Sequence, residues 1–232
     1  LRMQAELAQR EIDAGASDAG SLKNSLQQIA RSSQRAAHMV NQLLAMARAE
    51  DREQALRKQD LDLAAIVMEA VRDFVPKAMD KRIDLGYEGP ETGADSVPRL
   101  HGQPLLVREM VRNLVDNALQ YTPEGGTVTV RITPDPFGQV LVLQVEDNGP
   151  GIPEAERELV FQPFYRALGT NVDGSGLGLA IVREIADKHQ ATVTIDNARP
   201  PAAAPAGSGP GTLFTVRFPV GPATPAEPVS SA

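Results

Sequence analysis

A chain of 232 residues, 42% of them hydrophobic, can bury one good core with a small second unit beside it. Its formal net charge of -7 and sequence pI of about 5.1 argue against a phosphate-backbone binder, whose affinity rests on clustered Lys and Arg. The absence of cysteine excludes disulfides, thiolate metal sites and cysteine nucleophiles, and no apolar run approaches the roughly 18 residues that would span a bilayer.

The opening stretch from Leu1 to Ala8 already reads as mid-helix, with no capping residue before it, so the chain is expected to be cut from something longer. Gly15 and Gly20 break this helix. A second helix is expected over residues 21–52. Its small or apolar positions Leu22, Leu26, Ile29, Ser33, Ala36, Val40, Leu43 and Ala47 alternate steps of four and three, which is a heptad seam. Such a seam packs either on its own hairpin mate or in a four-helix dimer made from two hairpins. The dimer is the reading adopted, because two helices alone bury too little. Residues 1–52 are therefore assigned to a helical hairpin and residues 53–60, charged and poor in apolar side chains, to a linker.

Residues 61–220 form the larger unit. Leu61 and Leu63 suggest a short strand, residues 64–79 a helix, 82–87 a strand, 99–101 another short strand and 103–120 a long helix. Residues 127–132 and 140–145 read as a hairpin around the turn at 134–138. A looser segment, 150–173, precedes a helix over 177–189. Strands at 192–196 and 213–218 flank an Ala/Pro/Gly-rich stretch, 198–211, which like the tail 221–232 has the composition of disorder and is assigned no chemistry. Strands grouped with helices on a mixed sheet predict an α+β fold, an α/β two-layer sandwich.

The chemistry concentrates in three places. On the helix before Tyr121, Glu109, Asn113 and Asn117 are spaced four apart, so each step turns only about 40° and the three share a face. Asparagine is a poor interior helix former, so two in register beside Val111, Leu114, Val115 and Ala118 either face water or hold a ligand. A hard cation such as Mg²⁺ takes oxygen ligands and keeps phosphate oxygens and waters. Asn113 and Asn117 lie about 6 Å apart along the axis, whereas Glu109 and Asn117 lie about 12 Å apart, so Asn117 is the first choice for metal and Asn113 a supporting ligand. Asp147 ends an apolar strand before Asn148-Gly149-Pro150-Gly151-Ile152. It forms either an ordinary Asx turn or an acceptor for the amino hydrogen of adenine, and an ionised carboxylate in that place repels the carbonyl of guanine. Gly174, Gly176 and Gly178 precede an apolar helix whose first N–H groups could receive phosphate.

In this order the motifs resemble those of bacterial two-component sensor histidine kinases. Residues 108–118 resemble the N box, 147–152 the first glycine box, 161–166 the F box and 174–179 the second glycine box, while residues 39–48 resemble the second helix of the dimerisation and histidine-phosphotransfer domain. The resemblance implies an ATP-binding catalytic domain of the Hsp90-like ATPase (Bergerat) fold over about residues 60–220. It implies ATP and Mg²⁺ as ligands, with Asn117 and Asn113 toward the metal, Tyr121 beside the adenine and Asp147 hydrogen-bonded to it. Gly149, Gly151 and Ile152 would shape the adenine pocket, and Gly174, Gly176, Leu177 and Gly178 the phosphate side. Residues 165–174 would form a lid carrying Arg166 as a phosphate contact.

The implied partners are a second copy through the hairpin and a response-regulator receiver domain, with no nucleic acid and no membrane contact by this stretch. The implied setting is the cytoplasmic core of an inner-membrane sensor. Two departures stand out. Gln120 occupies a position where Lys or Arg is usual, so phosphate neutralisation is weaker or falls to Arg166. The Ser-His-Glu-Leu-Arg-Thr-Pro type segment is missing, and His38, His101 and His189 read as ordinary, His189 at a helix C-terminus where an imidazolium is favoured. The chain is therefore expected to bind nucleotide without carrying the nucleophile. Two other classes stay open. One is an ATP-hydrolysing clamp of the same fold, which needs a water-activating Glu where Asn113 stands. The other is a non-enzymatic module that binds ATP or a partner through its hairpin.

Overall fold

The computed structural model describes residues 58–94, 97–166, 176–200 and 209–220. The expected helical hairpin, residues 53–57, Gly174 and the tail 221–232 lie outside the described residues. In chain order the elements are β1 (Gln59–Leu61), α1 (Leu63–Asp80), β2 (Asp84–Glu88), β3 (Leu100–Gly102), α2 (Pro104–Tyr121), β4 (Thr127–Pro134), β5 (Val140–Asp147), α3 (Gly178–Lys188), β6 (Thr192–Asn197) and β7 (Thr212–Pro219). Two single-turn 3-10 helices, Glu154–Glu156 and Leu159–Phe161, stand between β5 and α3.

A five-stranded sheet runs in the order β2-β4-β5-β7-β6, with β2 parallel to β4 and the other pairs antiparallel. Strand alternation puts Val128, Val130 and Ile132 of β4 and Leu141, Leu143 and Val145 of β5 on one buried face, opposite Phe214, Val216 and Phe218 of β7. Asp147 is the next residue of this row, so the pleat that buries the core also buries a carboxylate. The mixed sheet and the helices packed on it make the two-layer sandwich that the sequence predicts.

Helix α2 is the middle helix, packed by α1 and α3. Val107, Met110, Val111, Leu114, Val115, Ala118 and Leu119 recur at the helical three-four spacing and are wholly buried. Burying each of the larger side chains contributes about 1.5–3 kcal/mol.

Local signals shift several expected boundaries. The Asp62 carboxylate accepts from the Ala65 N–H at 3.1 Å and the Gly93 N–H at 2.6 Å, an N-cap that makes Leu63 the first residue of α1 rather than part of a strand. Leu61 and Leu63 are both buried, which explains why their alternation reads as strand. Strand β1 begins within the stretch read as linker, because Gln59 and Asp60 pair with Gly102 and His101 of β3. Strand β2 starts late because Arg82 adopts a left-handed φ of 54° in the turn that closes α1.

Lys81, just past α1, donates to the carbonyl oxygens of Leu119 at 2.6 Å, Gln120 at 3.1 Å and Thr122 at 2.9 Å. One ammonium thus satisfies orphan carbonyls at the end of α2 and ties the two helices together. Burial, with the charge of Lys77, holds its pKa below the usual lysine value.

His189 is not the ordinary surface histidine of the sequence reading: it is 5% exposed. Its Nε2 accepts from the Gln103 N–H at 3.0 Å, so Nδ1 carries the proton and donates to the Ile185 carbonyl at 2.7 Å. A backbone N–H cannot accept, so the ring fits only when neutral. Burial pushes its pKa down, against the raising effect of the Ile185 carbonyl. Gly102 makes room, since a Cβ there would come within 2.8 Å of the imidazole.

Two stability measurements check this framework. Lys81→Met is expected to cost about 1–2 kcal/mol, read as a lower urea midpoint at unchanged slope. For His189 the unfolded chain binds more protons than the folded one below about pH 6.5, so stability is fully present above that pH and is lost as the pH falls toward the depressed folded pKa. Comparing His189→Gln with the wild type between roughly pH 7.5 and 5.5, the wild type should lose stability more steeply, and parallel curves would refute the neutral-ring assignment.

Candidate functional site

Three strands and one turn fix the position of Asp147. It is 3% exposed and pairs in register with Val128 on one side and Thr212 on the other. Its Oδ1 accepts from the Gly149 N–H at 2.8 Å and the Thr212 N–H at 3.2 Å. Burial raises the carboxyl pKa, and the hydrogen bonds from Gly149 and Thr212 work in the opposite direction. Gly149 is required by space, because a Cβ would lie 2.9 Å from both Asp147 Oδ1 and the Tyr121 carbonyl at the end of α2.

Beside this carboxylate opens a cavity of about 330 Å³ between α2, the turn after β5 and the start of α3. It gathers Asn113, Asn117, Tyr121, Gly151, Ile152, Arg166, Gly176 and Gly178 of the residues singled out by sequence. Asp147, Gly149 and Leu177 are not on its wall. Asp147 adjoins it through Thr212, which is, and Leu177 is the N-cap residue of α3. The wall also contains Tyr165, at the start of the expected lid, and residues that the sequence does not single out, chiefly Lys77, Asp116, Glu156 and Thr212. Thr212 follows a stretch whose composition reads as disordered, yet its last residue, Gly211, donates to the Gly149 carbonyl at 3.1 Å and lies on the glycine turn.

Side-chain chemistry along α2 is graded. Asn113 Nδ2 donates to the Glu109 carbonyl at 2.8 Å and to Glu109 Oε1 at 3.3 Å, while its Oδ1 faces Gly178, where a Cβ would sit 3.0 Å away. Glu109 therefore braces Asn113 and is absent from the cavity wall. One turn on, Asn117 lines the cavity, and Asp116 beside it pairs with Lys77 of α1. Among the described residues no cluster of three His, Cys, Asp or Glu side chains could cage a metal. The donor set suits a cation that draws most of its ligands from phosphate and water, with carboxamide oxygens in support.

The F-box stretch closes the far side. Phe161 is buried under the Arg183 guanidinium, 4.2 Å from the ring centroid, and Arg183 also pairs with Glu158. The Phe164 N–H donates to the Gly176 carbonyl at 2.8 Å. Gly176 has φ 68°, and a Cβ there would lie 2.9 Å from the Phe164 backbone.

Residues 102–222 match the family described as histidine kinase-, DNA gyrase B-, and HSP90-like ATPase. The chain belongs to this family. Sensor protein QseC of Escherichia coli is 35% identical over 198 residues, 85% of this chain and 41% of QseC. Sensor protein kinase PmrB of Pseudomonas aeruginosa is 35% identical over 190 residues, 82% of this chain and 37% of PmrB. The chain thus spans less than half the length of the relatives it matches. Among solved structures, a mycobacterial sensor histidine kinase MprB aligns with 71% of this chain and 99% of its own at 31% identity and a TM-score of 0.59. A nucleotide-free catalytic domain of histidine kinase ThkA aligns with 71% of this chain and 98% of its own at 25% identity and a TM-score of 0.58. The larger unit is therefore an ATP-binding catalytic domain of the sensor histidine kinase type, with the Hsp90-like fold. Among the described residues no helix is long and apolar enough to cross a membrane.

Gly176→Ala should break the contact between the F-box stretch and the second glycine cluster. The expected cost is about 1–3 kcal/mol in urea unfolding, with faster amide exchange at Phe164. Wild-type exchange at that amide would show that the contact does not hold the segment.

Proposed function

We propose that this chain binds Mg²⁺-ATP in the α2 cavity and presents its γ-phosphoryl group to a histidine other than His38, His101 and His189, in a sensor kinase that then passes the phosphoryl group to a response-regulator aspartate. In the first step the bond from the γ-phosphorus to the bridging oxygen breaks and a bond to an imidazole nitrogen forms. ADP leaves, and the imidazole proton goes to solvent. The domain's part is to position the nucleotide and neutralise its charge. The observation that carries this reading is one cavity lined by two carboxamides of one helix face and a glycine-rich helix start, with a buried carboxylate adjoining it through Thr212.

In this reading a base seated against Thr212, Ile152 and Tyr121 donates a hydrogen bond from its exocyclic amino group to the Asp147 carboxylate, with Gly149 and Gly151 shaping the turn. Asn117, supported by Asn113, faces the metal, which would supply charge neutralisation at the phosphates. The start of α3, with Gly176, Leu177 and Gly178, faces the phosphates with Arg166 opposite; Gly174, outside the described residues, is proposed for the same role from its motif alone. His101 is paired with Asp60 at 3.0 Å and His189 is held in the fold, so neither is offered as an acceptor. A hydrolytic clamp is disfavoured because Asn113 cannot take a proton from water. Residues 1–52 serve in this proposal as the dimerising hairpin, 53–60 as the connector to the domain at 61–220, and 221–232 as a tail. The kinase sits on the cytoplasmic side of an inner membrane.

Calorimetry with Mg²⁺-ATP and Mg²⁺-GTP tests the site. The wild type should prefer ATP, and Asn117→Ala should abolish metal-dependent affinity. Asp147→Asn should weaken ATP by roughly tenfold or more and shift preference toward GTP. Because burial raises the Asp147 pKa, the folded protein holds its proton more tightly than the unfolded chain. Ionisation therefore costs stability as pH rises, and Asp147→Asn should melt no lower than the wild type at neutral pH. ATP affinity should decline on acidification, as the carboxylate gains a proton. Equal affinity of the wild type for GTP would overturn the proposal.

A further inference from the structure

We infer that Lys77 of α1 supplies the phosphate-neutralising charge that position 120 lacks, so that the nucleotide's triphosphate is held from α1 as well as from α2. This deepens the ATP reading and rests on it. Among the described residues, Lys77 and Arg166 are the two cationic side chains on the cavity wall, which also carries two carboxylates, Asp116 and Glu156. A polyanion entering meets no net positive charge from these described side chains, and loss of Lys77 would leave them net negative.

The Lys77 ammonium stands on the cavity wall that position 120 shares, paired with the α2 face that carries Gln120. Its Nζ lies 2.5 Å from Asp116 Oδ1, and Asp116 directly precedes Asn117 and stands one helical turn before Gln120. The two side chains are 43% and 46% exposed, so the pair is solvent-screened and readily exchanged. An ammonium on a four-carbon stem has three donors, enough to keep Asp116 and still contact a phosphate oxygen. Lys77 has a second use even without moving, since it cancels a carboxylate that would otherwise repel phosphate beside the metal-facing Asn117. Lys81, four residues on, is a different case: its ammonium is committed to three backbone carbonyls and is absent from the wall. Helix α1 lies before the residues that match the family and outside all four motif stretches, so the sequence alone does not associate it with phosphate.

The test is calorimetry on the whole chain with Mg²⁺-ATP, ADP and adenosine. Lys77→Gln should lose roughly tenfold in ATP affinity, less for ADP, and nothing for adenosine, since the charge acts only on phosphate. Lys77→Arg should retain ATP binding. The double variant Lys77→Gln/Gln120→Lys should recover it, because the charge is restored one helix away. Equal losses for ATP and adenosine, failure of the double variant to recover ATP, or unchanged ATP affinity in Lys77→Gln would each overturn the inference while leaving the ATP site standing. If the wild type bound neither ATP nor adenosine, the site reading itself would fail and this inference with it.

Discussion

Asp147 sits at the end of a row otherwise made of Leu141, Leu143 and Val145, on the face where the sheet buries its apolar side chains. Leaving an ionised carboxylate there costs free energy that two backbone N–H groups, from Gly149 and Thr212, only partly offset, which is why its pKa stays raised. The surroundings follow from that one placement. The chain must turn sharply after β5 to bring the Gly149 N–H back onto the carboxylate. Strand β7 must begin in register with Asp147 to deliver the Thr212 N–H. The α2 end must pass close enough to the turn that position 149 has no room for a side chain. A neutral apolar residue at 147 would relax all three demands, and the fold would lose the acceptor that they converge on.

Helix α2 shows how core and site share one element. Its Val107 to Leu119 stripe is wholly buried, whereas Asn113, Asp116, Asn117 and Gln120 look the other way, into the cavity. The poor helix propensity of two asparagines is tolerable because propensity differences amount to a few tenths of a kcal/mol per residue, against burial terms several times larger on the opposite face. The helix needs no side-chain N-cap of its own, since Pro104 opens it where a missing N–H costs nothing, and Lys81 closes the other end.

Most of this was legible in the sequence because it is local. The three-four stripe of α2, the alternation of β4 and β5 and the glycine-proline turn after Asp147 each lie within about twenty residues, and the order of the four motif stretches pointed to the family that the comparison then supplied. What the sequence hid is set by contacts across long separations. Thr212 meets Asp147 across 65 residues and Lys77 meets Asp116 across 39, and no periodicity encodes either. His189 departs from its local signal for the same reason: a helix C-terminus favours an imidazolium, but the Gln103 N–H, 86 residues away, admits only the neutral ring. Shifts of one or two residues at element ends have local causes, the Asp62 cap and the left-handed Arg82 among them.

The two lysines of the α1 end illustrate a division that runs through the domain. Lys81 is partly buried, its pKa lowered, and its ammonium is fixed by three carbonyls, so its charge serves the packing of α1 on α2. Lys77, one turn earlier and within α1, keeps a half-exposed partner and reaches the cavity wall. A charge committed to backbone carbonyls can stabilise a fold but has little left for a ligand, whereas a charge in a screened, exposed pair adds little to stability and stays available. The same contrast separates Glu109, which braces Asn113 from off the wall, from Asp116, which stands on it. At these two positions, then, the charge that holds the helices together and the charge that faces the cavity belong to different side chains, so that a polyanion recruiting Lys77 would leave the Lys81 contacts in place.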